Sequence, residues 1–320
     1  MQLTTIVVEE VATPQNFVED EYLAANPDVA EAVRKGTCAS GRLHFHMHGS
    51  REGRRIRHAT SIMQAQQEKL ARLASLIRHD LPHTRRGAKY DFLTGEARML
   101  AEVEGVDVLS APEHQGSARE LIERLPDGWI LDCSPGKRPI YYSNVVNYDP
   151  VDYDATDVLG IGEVLPFRDN AFDAVLSVYA LEHARDPFAC AAEIARVLKP
   201  GGTLICAASF LQPAHRRPDH YFNMTGEGLR VLFENALKID EQAVSPIGAV
   251  RALQGIVQRW AGGLTGRARD EFLAMRIDDL LGAPAALSDQ RWVRELPREK
   301  NSELADATFM TAHKPLRPGA

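Results

Sequence analysis

The stretch that most restricts the fold runs from residue 172 to 209. F-D-A-V-L-S-V (172–178) is an apolar, β-branched run of strand length. Asp186-Pro187 then offers an N-cap and an N1 proline. Phe188, Ala192, Ile194, Val197 and Leu198 recur at helical spacing as an inward face. Pro200-Gly201-Gly202 ends that helix, and G-G-T-L-I-C-A-A-S (201–209) reads as the next strand. Strand, helix and strand in this succession predict an α/β sheet.

The same alternation extends on both sides. W-I-L-D-C (129–133) reads as strand one, N-V-V-N-Y-D (144–149) as strand two and T-D-V-L (156–159) as strand three. Residues 172–178 and 201–209 are strands four and five. Thr225 is placed to cap a helix through Glu234. L-K-I-D-E-Q-A-V (237–244) reads as strand six and A-T-F-M-T-A-H-K (307–314) as the last strand. A largely helical insertion spans about 247–298.

Upstream, three segments precede the sheet: a small helical module (16–58), a helical linker (59–87) and then the α/β domain (88–320). Asn26-Pro27 reads as an N-cap and N1 pair, with Gly36 as a stop. His44, His46 and His48 suggest a metal, but no carboxylate completes a ligand set, so none is expected. Ile62, Met63, Leu70, Leu73, Leu76 and Ile77 form an apolar stripe that serves either its own core or a homodimer seam over 60–79; 247–298 is a second candidate interface.

From Arg51 to Lys89 there are ten Lys/Arg against three Asp/Glu. That makes the segment +7 and, with a net charge of −7, the rest of the chain −14. No aromatic residues interleave for base stacking, so a solvated face is expected and no nucleic-acid partner. No apolar run reaches transmembrane length, the first residues carry no basic leader, and the four cysteines are widely spaced. These features suit a bacterial-type cytoplasmic protein with reduced thiols.

Three motifs in order carry a resemblance. L-P-F-R-D-N-A-F-D (165–173), L-E-H (181–183) and R-V-L-K-P-G-G (196–202) make residues 128–210 similar to the class I S-adenosylmethionine-dependent methyltransferases, of the type 11-like branch. The resemblance implies a Rossmann-like, mostly parallel seven-stranded sheet and S-adenosyl-L-methionine as cofactor. The N-terminal module, Y-L-x-x-N-P-D-V followed by H-x-x-x-x-G-x-x-E-G-R, resembles one seen in bacterial surface-polysaccharide proteins.

Carried over residue by residue, the resemblance implies a cofactor set of Asp132, Ser134, Gly136, Asp149, Ile161, Gly162, Glu163, Ser177 and Tyr179. Glycine after strand one lets backbone approach the cofactor's amino-acid end, and a carboxylate ending strand two can accept ribose hydroxyls. Here Ser134 and Arg138 stand where the family has glycines, and Pro135 lacks an N–H. The short path from Gly136 to Asn144 leaves no room for the usual helix. Past strand five, His215, His220 and Tyr221 fall at the sheet's carboxyl edge, and with His183 they are the candidates for proton transfer.

The expected function is methyl transfer from S-adenosyl-L-methionine to a small-molecule or glycan-precursor acceptor. The alternative is a weak or inactive methyltransferase-fold protein acting as a binding or scaffolding module. No G-x-G-x-x-G follows any strand, which disfavours a dinucleotide oxidoreductase.

Overall fold

A computed structural model describes residues 3–101, 111–215, 219–245, 247–281 and 284–304. The chain divides into Met1–Ser209 with Arg217–Asp240, and Phe210–Arg216 with Glu241–Ala320. In the first unit, α1 (Glu19–Ala25) and α2 (Pro27–Arg34) are the two short helices expected, and Gly36 follows them at φ +71°. The N-terminal motif residues converge on one tyrosine. Tyr22 is wholly buried, and its hydroxyl lies 3.0 Å from His44 Nδ1. A β-carbon on Gly49 would stand 2.1 Å from that hydroxyl, so only glycine fits. Asn26 precedes α2 with Pro27 at N1 but does not cap it; its amide donates to Tyr22 O and Arg55 O at 2.7 and 2.9 Å. Arg54 pairs with Asp28 and Glu52. These contacts make the motif a packing device, with His44 engaged inside it.

Helix α3 (Ala59–Leu73) buries Ile62, Leu70 and Leu73, and Ile77 follows them into the core. The stripe therefore packs inside its own unit and is not an open dimer seam; Met63 is exposed instead. Lys69 is also fully buried. Its Nζ donates to Val145 O and to Asp157 Oδ2 (2.8 Å) and sits 3.7 Å above the Tyr141 ring. Tyr141 donates to the other Asp157 oxygen at 2.7 Å. Burial pulls Lys69 down to about 8, against the attraction of Asp157. The basic segment is widely paired at home: Arg55 with Glu9, Arg57 with Asp154, Arg86 with Asp91 and Lys89 with Asp152.

The main sheet contains β1 (Thr84–Arg86), β2 (Lys89–Asp91), β3 (Ile130–Cys133), β4 (Val145–Asp149), β5 (Val158–Leu159), β6 (Phe172–Val178) and β7 (Leu198–Ala207). Its order is β7-β6-β3-β4-β5-β2-β1, parallel except for the β1–β2 hairpin. This is the mostly parallel, seven-stranded, Rossmann-like sheet expected. Strands one to five fall where expected, but the two further strands come from 84–91, inside and just past the expected linker. Residues 237–244 form no strand, because that segment finds no ladder partner among the described residues; Leu237 and Ile239 pack on the core instead. The expected strand at 307–314 lies outside the described residues.

Period-2 alternation sorts the strands onto two cores. Leu131, Val146, Tyr148 and Val175 face α3 together with α6 (Pro187–Val197). Ile130, Val145, Ala174 and Leu176 face α5 (Gly116–Arg124), which comes after α4 (Gly95–Ala101). Asp186 caps α6 by accepting Ala189 N–H at 3.0 Å. Its buried face is Cys190, Ala191, Ile194 and Val197, so the expected inward positions Phe188 and Ala192 are corrected to exposed ones. Thr225 caps α7 (Gly226–Phe233) as expected. No helix joins β3 to β4; residues Ile140–Tyr142 pair with Thr5–Val7 instead.

The second unit is helical, with α8 (Gly248–Gly263) and α9 (Gly266–Ala274) packed through Ala261, Leu264, Phe272 and Trp292. Among the described residues, no helix is long and apolar enough to cross a membrane.

Candidate active site

At the carboxyl edge of the sheet lies a cavity of about 160 Å³. Open α/β sheets bind ligands at this edge, because parallel strands deliver their loops there. Of the predicted cofactor set, Ser134, Gly136, Asp149, Ile161, Gly162, Glu163, Ser177 and Tyr179 all line it. His183 and Tyr221, two of the four proton-transfer candidates, line it as well. His220 is not in the lining; its Nε2 lies 3.0 Å from Phe222 O. His215 falls in the other unit, with Nδ1 3.5 Å from Pro213 O.

Asp149 ends β4 almost wholly buried. Its Oδ2 accepts Gly136 N–H at 2.9 Å and its Oδ1 accepts Val151 N–H at 2.8 Å. One carboxylate thus ties the loop after β3 to the turn after β4. Burial pushes it up to about 7, opposed by those two N–H groups; Asp132 adds to the rise and Arg138 works against it. Each oxygen accepts one hydrogen bond here and has capacity for another.

The loop after β3 is tightly committed. Ser134 N–H donates to Tyr148 O at 2.7 Å, Pro135 has no N–H, and Gly136 N–H goes to Asp149. Ser134 sits at φ +53° and Gly136 at φ +68°. The glycine suits that backbone, whereas the serine carries a β-carbon into it at a cost.

Asp132 lies behind this loop rather than in the cavity lining. Its Oδ2 meets His114 Nε2 at 2.8 Å and the Arg138 guanidinium at 3.2 Å, and Arg138 also donates to Pro112 O at 2.9 Å. Arg138 therefore fills the space beneath the loop and balances Asp132. His114 was not singled out from sequence, since nothing in its neighbours marks it.

The opposite wall is built around the turn Leu181–His183. His183 Nδ1 lies 2.8 Å from Asp219 O; a carbonyl only accepts, so Nδ1 is the donor. Glu182 O accepts Tyr221 N–H at 2.8 Å and Phe222 N–H at 3.2 Å, and buried Glu182 Oε1 accepts Ser209 Oγ–H at 2.6 Å. These bonds fix 219–222 against the end of β6. Tyr179, at φ +57°, leaves β6 with its ring exposed. Glu163 accepts the N–H groups of Arg185 and Asp186 just ahead of α6.

A nucleoside cofactor needs a carboxylate for its ribose, an apolar slot for its base and polar atoms still available. Asp149 supplies the first, and Pro150, Val151 and Ile161 line the second. Ser177 Oγ is buried in the lining, with the Cys206 thiol as its neighbour, and keeps capacity for a further hydrogen bond. The nucleoside end of S-adenosyl-L-methionine fits. Its amino-acid end meets a loop whose N–H groups at 134–136 are already engaged or absent. Cys133 and Cys190 also line the cavity, and burial holds both thiols well above their ordinary value.

The family model described as "Methyltransferase domain" matches residues 132–206. Uncharacterized protein YafE of Escherichia coli K12 is 45% identical over 71 residues, 22% of this chain and 33% of YafE. A demethylmenaquinone methyltransferase of Corynebacterium glutamicum is 50% identical over 56 residues, 18% of this chain and 24% of that enzyme. The chain thus spans a third or less of the length of these relatives. A crystal structure from Thermotoga maritima, of a SAM-dependent methyltransferase titled a possible histamine N-methyltransferase, matches with TM-score 0.28 and 23% identity, covering 37% of this chain and 67% of that one. Residues 132–206 are thus similar to the methyltransferase domain family, and they lie on a mostly parallel, Rossmann-like sheet.

Proposed function

We propose that the chain transfers a methyl group from S-adenosyl-L-methionine to a small-molecule or glycan-precursor acceptor. The observation that carries this reading is Asp149: a buried carboxylate at the carboxyl end of β4, in the cavity wall, holding the loops on either side of it. When bound, the cofactor supplies an electrophilic methyl group. Asp149 would accept the ribose hydroxyls, and Pro150, Val151 and Ile161 would enclose the base. Ser177, near the end of β6, and Tyr179, just after it, line the cavity where cofactor and acceptor would meet. Displacement at carbon asks the protein chiefly for proximity and alignment. Where the acceptor starts protonated, His183 is the residue of the lining that takes the proton, its ring oriented by the contact from Nδ1 to Asp219 O. Tyr221 shares this acceptor side.

The committed loop at 134–136 favours a second reading, a weak or inactive member that retains the nucleoside site as a binding module. Titration calorimetry with S-adenosylhomocysteine tests the first requirement: wild-type protein gives heat and Asp149→Ala does not. Absence of heat from wild type at millimolar ligand would end the enzyme reading. Binding followed by methyl transfer from labelled cofactor into a cell extract separates enzyme from module. The glycan-precursor suggestion rests on the N-terminal module's resemblance and on nothing in the cavity.

A further inference from the structure

One wall of the cavity lies outside the 132–206 match. Leu100 and Ala101, at the end of α4, line it. They stand some thirty residues upstream of β3 in sequence, and the hairpin explains how they arrive. β2 lies parallel to β5, with Tyr90 opposite Val158 and Asp91 opposite Leu159, and Phe92 N–H continues the ladder to Leu159 O at 2.9 Å. Its carboxyl end therefore opens on the same edge of the sheet as β3, β4, β5 and β6. The chain leaving β2 turns into α4 beside the loop after β5, the loop that carries Ile161 and Gly162.

The turn is held by Asp91. This buried carboxylate accepts Leu93 N–H at 2.9 Å and pairs with Arg86 at 2.7 Å and Arg98 at 3.1 Å. Arg98, on α4, also donates to Leu93 O at 3.3 Å, and Thr94 Oγ1 accepts Ala97 N–H at 3.3 Å. The position of α4 is thus fixed by an ion pair back to the strand. Leu100 nevertheless remains 49% exposed while lining a cavity, an apolar side chain open to a ligand there.

We propose that Leu100 is part of the nucleoside subsite, a wall for the purine ring shared with Pro150, Val151 and Ile161. The placement follows from strand order: β2 joins the sheet on the β5 side, away from β6 and its Ser177 and Tyr179, so α4 meets the base rather than the reacting methyl group. The inference rests on the cofactor reading above.

Calorimetry with S-adenosylhomocysteine on the full chain tests it. Leu100→Ala should weaken binding about three- to tenfold, the loss expected when an aliphatic side chain leaves a contact. Leu100→Asp should weaken it further. Met99→Ala, on the same helix but 71% exposed and absent from the lining, should stay within about twofold of wild type. Because Leu100 is half exposed, both variants should keep the wild-type melting midpoint. Wild-type affinity in both Leu100 variants overturns the assignment while leaving the cofactor reading intact. Equal weakening by Met99→Ala overturns it too, by tracing the effect to the helix as a whole. No binding by wild type removes the reading beneath it.

Discussion

Asp149 makes the stability of the first unit depend on pH in a direction opposite to a salt-bridged aspartate. Burial raises its carboxyl from the ordinary 3.8 to about 7, so ionising it in the folded chain costs about 4 kcal/mol more than in the unfolded one. Below pH 3.8 both states hold the proton and no cost is felt. Between about 4 and 7 the unfolded chain releases the proton and the folded chain keeps it, so stability falls as pH rises. Above 7 both are ionised and the full cost stands. Asp149→Asn removes this titration but turns an amide N–H toward one of the two backbone donors, Gly136 or Val151, a pH-independent loss of about 1–3 kcal/mol. Urea unfolding of both proteins from pH 4.5 to 8.5 should show their difference moving by most of 4 kcal/mol in favour of the asparagine variant, other titrations cancelling in the comparison. If the ionised carboxylate is what ribose hydroxyls engage, S-adenosylhomocysteine should bind roughly tenfold tighter at pH 8 than at pH 6, releasing a proton at the lower pH. Stability curves that run parallel within about 1 kcal/mol would refute the reasoning, because the carboxyl would then ionise as if in water.

Three further outcomes follow from neighbouring contacts. Ser134→Gly, at φ +53°, should stabilise the chain by about 1 kcal/mol in thermal unfolding and leave S-adenosylhomocysteine affinity unchanged or improved; a loss on either count would show that the serine side chain contributes. Lys69→Met leaves Asp157 buried without its cation and should cost about 3–5 kcal/mol in urea unfolding, part of it recovered by Lys69→Met with Asp157→Asn; a loss under about 1 kcal/mol would show that the pair does not hold the fold. Adenosine should bind within about tenfold of S-adenosylhomocysteine, since the N–H groups at 134–136 have nothing to offer a carboxylate; a hundredfold preference for the full ligand would locate an anion site elsewhere.

The parallel strands from 129 to 209 were legible because each is a short apolar run bounded by turn residues, and the helix between the last two carries its own cap; it ends at Val197, ahead of the expected stop at Pro200-Gly201-Gly202, which lies inside β7. The site followed from them: a carboxylate ending one strand and a glycine after another must meet at one edge once the strands are parallel. The hairpin at 84–91 was not legible. T-R-R and K-Y-D have neither alternation nor apolar density, and their place is set by partners: Asp91 by Arg86 and Arg98, Lys89 by Asp152. The reverse error at 237–244 has the same root. Its composition suits a strand, but a strand exists only where a ladder accepts it. The phase of α6 slipped for a related reason, since Phe188 was assigned inward on hydrophobicity while Cys190 and Ala191 occupy the contact.

Side-chain commitments were the other hidden part, and they decide how the cavity is to be understood. Gly136 was expected to offer bare backbone to a ligand; folded, its N–H belongs to Asp149. Arg138 was a missing glycine in sequence and is a counter-ion to Asp132 in space. Both changes move polar capacity from the loop to the carboxylate. The missing helix after β3 acts in the same direction, since no helix N-terminus stands there to attract an anion. What remains at this edge is a site strong in ribose and base contacts and poor in anion contacts. The adenosine comparison, more than turnover, is therefore the measurement that distinguishes this cavity from one built to grip the whole cofactor.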